Sequence, residues 1–138
     1  MATAEPEDLV NFSLFDDPEI VTFVRGAITA LKKNGYPWQA GNTRVVFHRP
    51  RSVVKIPITD GGLAANAKER HSFTRRGRAG YLPTAACRLI TDPNIGMPIL
   101  VMERLNTDTI HNAPDWVSWI DSGQVGLNRR GEIVAYDL

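Results

Sequence analysis

Arg51-Ser52-Val53-Val54-Lys55-Ile56-Pro57 is the stretch on which the reading of this chain turns. Val53, Val54 and Ile56 favour extended backbone, and Arg49-Pro50-Arg51 makes a turn ahead of them, so Ser52 to Pro57 is expected as a strand. One charge, Lys55, stands inside it. Burying an unpaired ammonium is strongly unfavourable, so the strand calls for a carboxylate partner. Glu69, fourteen residues on in a helical stretch, is a candidate. Val54 and Ile56 flank Lys55, and strand alternation sets Lys55 on the face opposite both. The competing reading is a structural ion pair at a sheet edge or a solvated lysine.

Towards the N-terminus, Thr43 to His48 is rich in β-branched and aromatic residues and is expected as the preceding strand. Asp17-Pro18-Glu19 starts a helix by capping and by placing proline in the first turn. Ile20, Val21, Val24, Ile28 and Leu31 recur at helical spacing, Lys32 and Lys33 suit the negative end, and Gly35 can stop it. The expected N-terminal helix covers 17–34, and residues 1–10 are expected to be loose. Towards the C-terminus, Asp60-Gly61-Gly62 reads as a loop and Leu63 to about Arg76 as a helix. Two strands follow, Ala85 to Ile90 and Pro98 to Leu105, with a turn at Asp92 to Gly96. Ala113 to Ile120 reads as a short helix, and Gln124 to Tyr136 as a β-hairpin turning at Asn128 to Gly131. The fold class is therefore α+β: an antiparallel sheet of about five sequentially pairing strands, an inserted helix, an N-terminal helix and a C-terminal hairpin.

A chain of 138 residues with 43% hydrophobic and 22% charged residues fits a single globular domain, 1–138. The formal charge of +1 gives no global electrostatic case for nucleic acid or membrane. Cys87 is the only cysteine, which excludes an intrachain disulfide and suits a reducing compartment. Met1 to Asp8 is acidic and lacks the pattern of a signal peptide. No stretch reaches the length of a membrane helix, so a cytoplasmic location is expected. His48, His71 and His111 are widely spaced and give no zinc-ligand pattern. Cys87 sits in an apolar strand and no G-x-S-x-G occurs, so nucleophilic hydrolysis has no support.

Residues 37–105 resemble the small lobe of the protein-kinase-like superfamily, which also contains aminoglycoside phosphotransferases. Val53-Val54-Lys55 is similar to the strand-lysine motif V-A-I-K, and Glu69 to its helix partner. Gly41-Asn42-Thr43-Arg44-Val45-Val46-Phe47 resembles a reduced phosphate-covering loop entering its second strand. Ile99-Leu100-Val101-Met102-Glu103 resembles the fifth strand running into the adenine-binding hinge. Asp137 resembles the metal-binding aspartate of D-F-G, with Leu138 at the Phe position, and Asp121 is a faint echo of the catalytic-loop base. Residues 113–138 then correspond to a reduced remnant of the large lobe. The resemblance implies ATP and Mg2+, with Lys55, Glu69, Gly41 and Glu103 at the nucleotide, Asp137 on the metal and Asp121 as base. Short single-domain proteins encoded by bacteriophages are also similar, which would set the protein in a host cytoplasm.

The departures bear on function. Gly41 stands alone where the family has G-x-G-x-x-G, and Gly126 occupies the position of the catalytic-loop asparagine. Asp121 follows Glu103 by only 18 positions. Phosphoryl transfer needs several charge-neutralising groups at once, and losing one costs orders of magnitude in rate. The expectation is therefore a kinase-like binding protein, in the manner of a pseudokinase, that regulates or inhibits another protein, a host protein if phage-encoded. A minimal ATP- and Mg2+-dependent phosphotransferase is the alternative. Arg75-Arg76-Gly77-Arg78 is the one dense basic run, and Trp116 and Trp119 lie three apart. These are candidate partner surfaces, and Arg75, Arg76 and Arg78 also carry a third reading, nucleic-acid binding. Their bland readings are a solvated helix end and core packing. A homo-oligomer is left open.

Overall fold

The computed structural model describes residues 5–9, 18–75, 84–92, 96–106 and 125–135. Helix α1 (Pro18–Lys33) is followed by strands β1 (Trp38–Ala40), β2 (Arg44–His48) and β3 (Ser52–Pro57). Helix α2 (Asp60–Thr74) leads to β4 (Cys87–Asp92) and β5 (Gly96–Glu103), and β6 (Val125–Leu127) pairs with β7 (Ile133–Ala135). The large sheet is antiparallel in the order β1-β2-β3-β5-β4, and β6-β7 is a separate hairpin. The expected α+β class, five-stranded sheet, inserted helix, N-terminal helix and C-terminal hairpin are all present.

Pairing departs from the expected sequential order at one place. The neighbour of β3 is β5, not β4. Strands β4 and β5 pair as a hairpin, and it is the longer β5 that pairs with β3, leaving β4 at the edge.

Helix α1 covers one sheet face. Val21, Val24 and Ile28 are fully buried and meet Val45, Phe47, Val54, Ile56 and Ile99. The helix ends where Gly35 takes φ +79°, donating its N–H to Lys32 O at 2.9 Å. Within the segment expected to be loose, Pro6–Leu9 forms a 3-10 turn with Pro6 buried, Leu9 against this core, and Glu5 paired with Lys32. The opposite face carries Val53, Leu100, Met102 and Cys87 under α2, with Val134 of the hairpin packed on the same cluster. Strand β3 is buried from Val53 to Pro57 because both its faces are covered.

Helix α2 begins three residues earlier than expected, at Asp60. The Thr59 side chain caps it by accepting from the Gly62 N–H at 3.2 Å. The cap overrides the poor helix propensity of Gly61 and Gly62. In the hairpin, the Asn128 side-chain oxygen accepts from the N–H groups of Arg130 and Glu132, both at 2.9 Å, and Gly131 supplies φ +76°. The expected short helix Ala113 to Ile120 lies outside the described residues. Among the described residues no helix is long and apolar enough to cross a membrane.

Candidate functional site

Strand register builds the α2-facing side of the sheet row by row. Val46 pairs with Lys55 and Lys55 with Leu100; one row on, His48 pairs with Val53 and Val53 with Met102. Arg44 stands two residues before Val46 on the same face. Lys55 is thus set among Val46 and Leu100, and only 4% of it is exposed.

Its partner is Glu69, as the sequence calls for. The Lys55 ammonium donates to both Glu69 carboxylate oxygens at 3.0 Å, and Glu69 is 7% exposed. The pair is larger than expected. Arg44 Nη1 donates to Glu69 Oε1 at 2.8 Å and to Asn66 Oδ1 at 3.0 Å. Asn66, fully buried, donates from Nδ2 to Lys55 O at 3.0 Å and to Pro98 O at 2.9 Å. Four side chains from β2, β3 and α2 therefore form one network, with the Glu69 carboxylate shared by two cations. Such burial holds only when geometry and hydrogen bonding offset the desolvation of the charges.

Arg44 and Asn66 were the residues that sequence reasoning missed. Asn66 precedes Glu69 by three positions, so both occupy one face of α2. Arg44 shares the face of Val46 and His48 by alternation. Both signals were present in the sequence, but neither residue is alarming on its own, as a lysine among valines is.

A cleft of about 840 Å³ opens beside this network. Lys55 and Arg44 stand in its wall, Val46, Val53 and Met102 give it an apolar surface, and the turn Gly41-Asn42-Thr43 borders it. His48, Arg104 and Leu105 line it further along. The size lies within the range of small-molecule sites, and an apolar surface with a few convergent polar groups is their usual composition.

Gly41 borders the cleft and closes its turn by donating its N–H to Arg44 O at 2.9 Å. A Cβ added there meets nothing nearer than Arg44 O at 3.8 Å, so its backbone has room for alanine. Glu103 points away from the cleft by alternation with Met102, and its Oε1 accepts from the Ala86 N–H at 3.0 Å. Arg75 is exposed at the C-terminal end of α2, its N–H donating to His71 O at 3.1 Å. Asp121, Asp137, Arg76, Arg78, Trp116 and Trp119 lie outside the described residues. Among the described residues no group of three or more His, Cys, Asp or Glu side chains could hold a metal ion.

Cys87 adjoins the network from β4, its thiol 3.7 Å from Glu69 O. Burial, helped by the Glu69 charge and opposed by Arg70 and Lys55, pushes the thiol from its ordinary 9.0 up to about 11. The thiol form is favoured in the folded state. The stability this supplies is complete below pH 9.0 and is lost as pH rises towards about 11. At pH 8 iodoacetamide should alkylate native Cys87 at least ~100-fold more slowly than the urea-unfolded chain, since only the thiolate reacts. Equal rates would show the thiol to be accessible and ionised.

No protein-family model matches the chain, and no curated protein matches it.

Proposed function

We propose that this protein is a kinase-like binding protein that holds a nucleotide in the cleft beside Lys55 without transferring its phosphate. The observation that carries the reading is the bidentate Lys55–Glu69 contact at 3.0 Å in the wall of an 840 Å³ cleft. Lys55 and Arg44 attract the phosphates, Val46, Val53 and Met102 take the base, and the Gly41–Thr43 turn borders the ligand. Glu69 keeps the ammonium oriented. ATP fits this set by size and by charge. Mg2+ would come with the phosphates, its candidate ligand being Asp137. Support for binding over turnover comes from the lone Gly41, where phosphoryl transfer in this class uses a loop of three glycines. A nucleotide bound but not consumed suits a protein that acts by regulating another protein.

Thermal unfolding tests this. With Kd near 100 μM, 1 mM ATP stabilises the folded state by about 1.4 kcal/mol, a rise in Tm of about 5 °C. Lys55→Ala should abolish the shift. Absence of any shift in the wild type at millimolar nucleotide sinks the nucleotide reading. Transfer of labelled γ-phosphate to protein or small-molecule acceptors would replace the binding role with an enzymatic one.

A further inference from the structure

We infer that Asn66 is the positioning residue of the cleft, holding Lys55 in place by acting as the missing rung between β3 and β5. The β3–β5 register runs from Ser52↔Glu103 to Lys55↔Leu100 and stops. Continued by two residues, it would set Pro57 opposite Pro98. Neither has an N–H, so no backbone donor can carry the ladder on. The Lys55 and Pro98 carbonyls are at that end, and both accept from Asn66 Nδ2, at 3.0 and 2.9 Å. One side-chain amide from α2 thus joins the two strands where their backbones cannot join themselves.

The same amide acts on Lys55 a second way. Asn66 Oδ1 accepts from Arg44 Nη1, the atom that also donates to Glu69 Oε1. Asn66 therefore fixes the Lys55 backbone directly and the Glu69 carboxylate through Arg44. Both of its donor hydrogens are used, and a buried amide so engaged has one orientation. The residue types also follow: aspartate would turn an oxygen towards two carbonyls, and alanine would take from the Lys55 and Pro98 carbonyls the donor that α2 supplies, leaving Pro98 O opposite a proline that has no N–H to give.

This rests on the cleft reading only for its ligand arm. The direct test is labelling of lysines by an N-hydroxysuccinimide ester, read by mass spectrometry, with Lys33 and Lys68 as internal references. In Asn66→Ser, Lys55 should react at least tenfold faster relative to Lys68 than in the wild type. Labelling unchanged within twofold in the folded variant overturns the inference. A wild-type measurement stands beside it in case the variant does not fold. Both Asn66 side-chain amide protons should exchange at least 100-fold more slowly than those of exposed Asn34, and equal rates overturn the inference too. In the ligand arm, Asn66→Ser should reduce the ATP shift in the wild-type background and add nothing to Lys55→Ala. An ATP shift in folded Asn66→Ser equal to that of the wild type means that Asn66 does not hold Lys55 for the ligand. If the wild type shows no ATP shift while Lys55 labelling rises in Asn66→Ser, the nucleotide reading falls and the positioning role stands.

Discussion

Gly62→Ala should destabilise the protein by about 3 kcal/mol, although alanine is the better helix former. A Cβ on Gly62 would lie 2.3 Å from Thr43 O and 2.9 Å from both Cα and Cβ of Pro57. These are mostly backbone atoms of β2's entry and β3's end, and they cannot swing aside as a side-chain tip could. Helix propensity favours the substitution by about 1 kcal/mol. Overpacking against a fixed backbone costs about 1–3 kcal/mol and occasionally more, and an approach of 2.3 Å with two more at 2.9 Å belongs beyond that range, at about 4 kcal/mol, which leaves a net loss of about 3 kcal/mol. The clash wins. It also moves α2 away from β3, so Lys55–Glu69 geometry is lost with it. Urea denaturation gives the magnitude, and Tm should fall by about 10 °C. Gly41→Ala, whose Cβ meets nothing within 3.8 Å, is the matched control and should change stability by no more than about 0.5 kcal/mol. A Gly62→Ala variant as stable as the Gly41→Ala control would mean that α2 does not sit this close to the sheet.

Gly62 also shows where the sequence stops being legible. Composition made Asp60-Gly61-Gly62 a loop, because glycine is a poor helix former. The reason for a glycine there is tertiary: the helix needs a face without a side chain to reach Thr43 and Pro57. Nothing local announces such contact. The same holds for the whole buried stripe of α2, which is Gly62, Asn66 and Glu69 at spacings of four and three. Helix α1 is read easily because its buried stripe is apolar, Val21, Val24 and Ile28. Helix α2 docks through polar groups, so periodicity of hydrophobic residues under-reports it. Lys55 is the exception that made the site readable. Its cost of burial is so large that a partner had to exist, and Glu69 was the carboxylate within reach. Arg44 and Asn66 carry no comparable penalty in a sequence, where each passes as an ordinary surface residue. The adjacency of β3 and β5 stayed hidden for a related reason. Alternation tells which face a residue takes and not which strand lies beside it.

Glu69→Ala should cost more than the loss of either cation it holds. The carboxylate accepts from Lys55 through both oxygens and from Arg44 through Oε1. Taking it away sets two like charges on either side of the space it filled, at 5% and 13% side-chain exposure. Breaking a buried pair by removing one partner typically costs about 3–5 kcal/mol, and here one removal breaks two contacts. Against a total stability of about 5–15 kcal/mol this is a large share. Lys55→Met keeps most of the apolar stem and removes the ammonium, and Glu69 retains Arg44 at 2.8 Å. That variant should lose only about 1–2 kcal/mol. The ordering is the informative result, because an ordinary two-member salt bridge would suffer similarly from either side. Chemical denaturation of the two variants at pH 7 measures it. A Lys55→Met variant less stable than Glu69→Ala would show that the carboxylate is not the centre of the network, and that Arg44 belongs to the cleft wall without sharing in the hold on α2. With the predicted order, the sharing has a consequence for the cleft. A substitution at Arg44 then reaches Lys55 through Glu69, so the ammonium's position is set by three elements at once, β2, β3 and α2.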